Sequence, residues 1–592
     1  MGAPSAGYEP RSPARHILHQ NVRDHFESFR AEAARLRHGD GLPAFVEREF
    51  REFLQCGSLA GGFARLQCRA CHHDRLVAFS CKGRGFCPSC GGRRMTERAA
   101  HLVDHVFPPV AVRQWVLSLP FRLRYLLAWD HDLARAIGGL FMRAVLGFLR
   151  RRRRAAGTDG GRSGGVLVIQ RFGGALNLNV HFHALVLDGV FAPDDGGRLQ
   201  FHRTPRLGAA EVAAVLHLVA RRVERLLERR GRGAEESTTQ GVDPWVDASP
   251  ALAGLSAAAV QGVAALGARA GTRPRRWGDP LEARAEATRG RCHAREGGFD
   301  LHAGLVVRAG QPDRLERMCR YVLRPPVTQD RLRLTPDGQV VLQLRQRWQD
   351  GTTHLVFTPT AFLERLAALT PRPRINLILY DGVLAPRAAW RDLIVGPARQ
   401  ARDDGPRGET DAGRQAGGAR WAALMQRSFG FDVLACPRCG GRLRLIALIT
   451  QPSVIARILR HLGHPPIRRS RVPPAHLRGS RTWNEHGVAA AAARQSHPLT
   501  AHPEQLSLAP SGARADTRDV CPLEDQPRLT QRVASGIRPF RDPIDPNLRP
   551  ACLHLRWWRG IPCRPDAPGR HAGVRERTFR SRTPLHADYH LP

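Results

Sequence analysis

Lysine is almost missing from this 592-residue chain: of its 91 basic residues only Lys82 is lysine, and the rest are arginine. A phosphate-binding loop of the Walker type needs a lysine behind its glycines, and Lys82 lies in a cysteine-rich stretch, so that class of nucleotide hydrolase is excluded. Tyrosine is scarce too, with five in all. No uninterrupted apolar run approaches membrane-spanning length, and the N-terminal MGAPSAGYEPRSPARH carries no apolar signal core. The expectation is a cytoplasmic protein without a membrane partner. In a reducing compartment its 13 cysteines are expected to hold metal rather than form disulfides.

What the chain has in excess is positive charge, formally +38, which points to a polyanion and first of all to nucleic acid. Because nearly all of it is arginine, a GC-rich coding bias accounts for part. The patterning divides the chain into an N-terminal helical segment (1–55), a zinc-binding domain (56–105), a helical connector with an Arg-rich linker (106–160), a catalytic domain (161–385), a C-terminal region with a C-x-x-C (386–465) and a low-complexity tail (466–592) expected to be disordered. An Ala-, Gly- and Arg-rich stretch near 228–298 reads as an insertion in the catalytic domain, either helical or mobile.

The strongest local motif is CRACHHDRLVAFSCKGRGFCPSC, in which Cys68 and Cys71 form one C-x-x-C pair and Cys87 and Cys90 another. That spacing predicts a zinc ribbon, with four thiolates around one structural Zn²⁺. Cys56 and Cys81 are then surplus, while His72 or His73 could replace a thiolate. Cys436 and Cys439 have no matching pair nearby, and His461 with His464 could complete a second site.

In NLNVHFHALVLDGVF, His181 and His183 are one residue apart on a strand, so both imidazoles share a face with Asn177 and Asn179. Such a pair can bind one metal ion; the plain alternative is a half-exposed edge strand. The GGAL before it suggests a hairpin turn from VLVIQRF. FDLHAGLVV alternates like a strand and turns Asp300 and His302 to one side. A helix follows in PDRLERMCRYVLRPP, with an apolar stripe of Leu315, Met318, Cys319 and Val322. Tyr321 lies off that stripe beside Arg314, Arg317 and Arg324, either as an ordinary surface tyrosine or as a nucleophile flanked by phosphate-binding guanidinium groups. The parts fit one chemistry, attack of a phenol on a DNA phosphodiester polarised by a histidine-held divalent cation. A free phenol has a pKa near ~10, so Tyr321 would need metal or arginine close by.

These motifs, together with DGTTHLVFTPTAFLERLAALTPRPR and CPRCGGRLRLIALI, resemble the rolling-circle transposases of the insertion sequence ninety-one family and its relatives, over roughly residues 15–465. The resemblance implies an α+β HUH endonuclease-type fold: an antiparallel sheet with helices, behind a small zinc-ribbon domain. It implies single-stranded DNA at element ends as substrate, Mg²⁺ or Mn²⁺ on His181 and His183, Tyr321 as nucleophile with Arg324 beside it, and a covalent 5′-phosphotyrosine. It leaves the third metal ligand open, with His302 first and Gln170 second, and allows a homo-oligomer. Asp381 stands where the family pattern leads one to expect histidine, and positions one turn from Tyr321 hold no second tyrosine. A replication initiator or relaxase would share the chemistry without the zinc ribbon. A non-catalytic zinc-ribbon DNA-binding protein would not need Tyr321, and Tyr380 is the main rival nucleophile.

Overall fold

The computed structural model describes residues 12–35, 41–232, 244–278, 292–396, 422, 426 and 432–463. The tail expected over 466–592 lies outside them, as do Tyr8, Tyr589 and His464. The runs VLVIQRF and LNVHFHALVL are rich in β-branched residues, and they pair as antiparallel strands Gly164–Phe172 and Leu178–Leu187. Their turn closes as the Gly173 N–H donates to the Asn177 carbonyl at 3.0 Å, with Leu176 in the left-handed region at φ 57°. Val112–Ser118 pairs on the other side of the histidine strand, which is therefore central and buried along its whole length. The half-exposed edge reading is overturned.

The sheet has seven strands, all antiparallel. In order they are Ile378–Gly382, Gly164–Phe172, Leu178–Leu187, Val112–Ser118, Phe299–His302 and His293–Glu296, with Val306–Val307 also pairing onto Val112–Ser118. Alternation gives the histidine strand two different faces. Leu178, Val180, Phe182 and Ala184 join one core with Leu167, Ile169 and Leu117, covered by Ile137 and Phe141 of the helix His131–Ala155. Gly138 lets that helix press close, since a Cβ there would sit 2.5 Å from Leu167 Cδ2. On the opposite face Leu185, Leu187, Val166 and Val168 pack against Leu315, Met318, Cys319 and Val322 of the tyrosine helix, Pro312–Leu323, and against Ala99, Leu102 and Val103 of the helix Pro88–His105. The predicted apolar stripe of the tyrosine helix is thus the one buried.

N-terminal helices Ile17–Ala33 and Ala44–Gln55 are tied to the first core by Phe26, Phe29, Phe50 and Phe53, with Phe26 and Phe50 stacked at 4.8 Å. A four-stranded sheet runs in the order Leu332–Leu334, Val340–Gln343, Thr352–Phe357, Arg275–Gly278. The stretch 228–298 is woven into the fold in its described parts: Pro250–Gln261 buries Leu252, Leu255 and Val260, Arg275–Gly278 extends the small sheet and His293–Glu296 the large one. The segment after 432 returns to the N-terminal part, where Leu443–Ile449 pairs with Phe63–Cys68 and makes a three-stranded sheet with Asp74–Ala78. The architecture is α+β, and among the described residues no helix is long and apolar enough to cross a membrane.

Phe182 is fully buried between the sheet and the helix His131–Ala155. Phe182→Ala is expected to cost about 3–5 kcal/mol, measured by chemical denaturation. A loss below 1 kcal/mol would contradict this packing.

Candidate active site and metal centres

Two groups of four cysteines come together. Cys56, Cys81, Cys87 and Cys90 form one, and Cys68, Cys71, Cys436 and Cys439 the other. Sulfur separations are 3.6 Å for Cys56–Cys87, 3.8 Å for Cys56–Cys90 and 3.4 Å for Cys81–Cys90 in the first group. In the second they are 3.5 Å for Cys68–Cys439 and 3.7 Å for Cys71–Cys436. A Zn–S bond of about 2.3 Å makes the edge of a four-thiolate tetrahedron about 3.8 Å, and a disulfide would be near 2 Å. Both groups fit structural zinc.

The predicted set of Cys68, Cys71, Cys87 and Cys90 is therefore corrected: its two pairs belong to different centres. The reason is the length of the hairpin Phe63–Cys68/Asp74–Ala78, whose five registered pairs span roughly 17 Å. Cys68 and Cys71 sit at its turn. Cys81 leaves its open end, where Cys56 arrives from the helix Ala44–Gln55 and Cys87 caps the helix Pro88–His105. Cys56 and Cys81 are ligands rather than surplus, and Cys436 and Cys439 are completed by Cys68 and Cys71 rather than by histidines. His72 and His73 belong to neither group. Matching turns support the second centre: the residue after each pair is left-handed, His72 at φ 56° and Gly440 at φ 73°. A Cβ on Gly441 would meet Cys68 Sγ at 3.2 Å. The missed signal was that a lone C-x-x-C and a ribbon pair can be halves of one site across 365 residues.

On the large sheet, pairing registers lay out two rows of side chains on one face. Gln170, His181, Ser118, Asp300 and Arg295 form one row; Val168, His183, Val116, His302 and His293 form the next. His181 Nε2 and His183 Nε2 are 3.1 Å apart. His181 Nδ1 lies 3.0 Å from the Asn179 carbonyl, which accepts its proton and leaves Nε2 with a free lone pair. The Gln114 amide N–H donates to His183 Nδ1 at 2.8 Å, which puts the His183 proton on Nε2, facing the His181 Nε2 lone pair. Burial depresses the His181 pKa to about 4, with Arg324 and Arg124 adding to it against the Asn179 hydrogen bond. Burial, then His181 and Arg324, push His183 well below its ordinary value. Both imidazoles are neutral at physiological pH, the state that ligates metal.

Tyr321 is buried, not on the surface. Its ring meets His183 edge-on at 6.1 Å, and the Arg324 guanidinium lies over the ring at 4.2 Å while donating to the Tyr321 carbonyl at 2.9 Å. Around these groups, buried polar atoms stand without partners: Gln170 Oε1, Gln114 Oε1, Ser118 Oγ and both amide atoms of Asn179. Such atoms in a dry interior are costly unless something binds them. Turning the Gln114 amide over would let its orphaned oxygen accept from His183 Nδ1 and free Nε2, and two lone-pair nitrogens beside Gln170 Oε1 then suit a hard divalent cation.

His302 does not reach the histidine pair. It stands two strands from His183, about 10 Å away, with its ring 6.1 Å from His293. Among the described residues no third His, Cys, Asp or Glu completes the pair within one ligand sphere. Gln170, directly opposite His181, is the better placed of the two candidates. Asp300 is occupied, accepting from His293 at 2.9 Å and Arg295 at 2.5 Å; burial raises its pKa, but these partners outweigh that and hold it below the usual range. Tyr380 lies on the edge strand, two strands from the histidines, lining a cavity of about 440 Å³ with Asp132, Arg135 and Asp381.

A family model described as "Transposase zinc-binding domain" matches residues 21–119, and one described as "Putative transposase" matches residues 164–390, together more than half of the chain. The chain is a transposase. It belongs to the insertion sequence ninety-one-like transposases. Among curated proteins and among solved structures nothing matches.

Two centres predict two zinc ions per chain. Cys87→Ser and Cys436→Ser should each remove one, by metal analysis of purified protein. Because Cys56, Cys87 and Cys90 pack in the main core, Cys87→Ser should also lower the melting temperature more than Cys436→Ser. One zinc in the parent, or two retained in either variant, would sink the assignment.

Proposed function

We propose that this transposase is of the rolling-circle type, cleaving single-stranded DNA at element ends and transferring it through a covalent 5′-phosphotyrosine on Tyr321. The observation that carries this reading is the convergence of His181 Nε2, His183 Nε2 and the Tyr321 ring, with Arg324 over it, on one buried sheet face. His181, His183 and Gln170 would hold the cation. Mg²⁺ or Mn²⁺ bound there supplies polarisation of the scissile phosphate.

The residues do the rest. The Tyr321 oxygen forms a bond to phosphorus as the bond to the 3′ oxygen breaks; the phenol proton is lost and the departing 3′ oxygen takes one up. Attack by the 3′-hydroxyl of another strand reverses these steps and joins it to the 5′ phosphate, so bond energy is kept. Arg324 places positive charge where negative charge grows on tyrosine and phosphate. A nearby buried guanidinium, that of Arg331, makes no ion pair among the described residues and donates to the Gln343 and Gly174 carbonyls. Burial lowers the Arg331 pKa to about 9, with Arg345 adding to it and Asp330 opposing, a cost that an entering phosphate would offset.

Incubating the protein with single-stranded oligonucleotides from element ends and Mn²⁺ should give a covalent adduct resolved by denaturing electrophoresis. Tyr321→Phe should abolish the adduct and keep DNA binding. His183→Ala should lower the adduct rate by at least roughly 100-fold, with partial rescue at high Mn²⁺. An adduct that survives Tyr321→Phe and disappears with Tyr380→Phe would overturn the nucleophile; no adduct under any of these conditions would overturn the cleavage reading.

A further inference from the structure

The small four-stranded sheet buries most of one face and part of the other, where Val341 and Val356 lie covered between Arg333 and Arg275. Leu332, Val340, Leu342, Leu355 and Phe357 alternate into the main core. On the outer face, register places Gln343, His354 and Trp277 in one row, and Arg333 and Arg275 at the two ends of the next. Trp277 is 62% exposed, the second most exposed of the large hydrophobic residues among those described. It leans on the His354 ring at 5.7 Å. Arg275 makes no ion pair among the described residues, and Arg333 donates only to the Asp330 and Leu332 carbonyls. A solvent-facing indole among unpaired guanidinium groups, with no carboxylate in either row, has no role in the fold's own packing.

This face adjoins the tyrosine site. Arg331, at the start of the first strand of the small sheet, donates to the Gln343 carbonyl at 2.7 Å and to the Gly174 carbonyl, in the turn of the histidine hairpin, at 3.4 Å. From Arg324 over the Tyr321 ring, positive charge thus continues through Arg331 to the row that ends on Trp277, about 10 Å beyond Gln343 across two strand spacings.

We infer that the exposed row of this outer face, Gln343, His354 and Trp277, is a stacking platform for unpaired bases of the DNA strand that leads to the scissile phosphate, with Trp277 holding a base and Arg275 and Arg333 its flanking phosphates. This rests on the single-strand reading above and adds where the strand lies. An indole face stacks on any base, which gives grip without sequence preference, and a duplex hides those base faces. The partner is therefore single-stranded DNA rather than double-stranded DNA or an acidic protein.

The test uses the full chain with fluorescent single-stranded and duplex oligonucleotides of one sequence, followed by anisotropy at several salt concentrations. Trp277→Ala is expected to weaken single-strand binding by roughly 5- to 150-fold, Trp277→Phe to recover most of it, and duplex binding to change less than about twofold. Arg275→Ala and Arg333→Ala should each flatten the salt dependence by about 0.7 in logarithmic slope. At saturating DNA the Trp277→Ala protein should still form the Tyr321 adduct. Single-strand affinity of Trp277→Ala within twofold of the parent, or equal losses on single-stranded and duplex DNA, would overturn the platform. Loss of single-strand affinity in Trp277→Ala, together with a parent that never forms an adduct, would uphold the platform and count against the cleavage reading.

Discussion

The geometry of the site depends on where the helix Pro88–His105 begins. Cys87 caps it and Cys90 lies in its first turn, so one thiolate centre fixes both its origin and its direction. The tyrosine helix lies against it, and the contact is tight where it ends: a Cβ on Gly91 would come 2.7 Å from Pro325 Cβ. Pro325 follows Arg324 directly, and Tyr321 is one turn earlier. That cysteine centre therefore sets the height of the tyrosine ring beside His183. Glycine at 91 is required by that close approach, not by backbone conformation.

The same packing explains how a sheet interior tolerates so much polarity. Central strands in a sheet covered on both faces are ordinarily apolar throughout. Here one end of one face carries His181, Asn179, Gln170 and Ser118, while the other end, at Leu185 and Leu187, is apolar and packs on two helices. The apolar end supplies the stability and the polar end supplies unsatisfied lone pairs. Burial would make charged imidazoles expensive, so they stay neutral, and neutrality is what a cation needs from them.

Much of this was legible in the sequence. Alternation along LNVHFHALVL gave the shared face of the histidines, and the stripe Leu315, Met318, Cys319, Val322 gave the buried side of the tyrosine helix. Tyr321 lies beside that stripe, but its burial is not legible, because its ring meets His183 on a strand more than a hundred residues away in sequence. His302 has the right residue type and the right face and is still too far, since register between strands decides distance and no local pattern encodes register. The cysteine pairing failed for a related reason. Spacing along the chain measures contour length, and a hairpin turns contour length into separation.

The second cysteine centre shows what that long-range pairing does for the chain. Joining Cys71 to Cys436 closes a loop of 365 residues, for which chain entropy alone charges about 5 kcal/mol. Structural zinc binding to four thiolates is worth about 10–16 kcal/mol near neutral pH, so the metal wins and the closure holds. The strand Leu443–Ile449 then pairs beside Phe63–Cys68 with no further long loop to close, and Ile455 and Leu459 of the helix Pro452–His461 settle on Phe63. The two centres thus divide the work: one lies in the core and positions the helix beneath the tyrosine, and the other, at a partly exposed hairpin turn, ties residues 436–463 to the N-terminal sheet. With the helix Pro88–His105 fastened at the open end of the hairpin and residues 436–463 at its turn, the hairpin links the two centres.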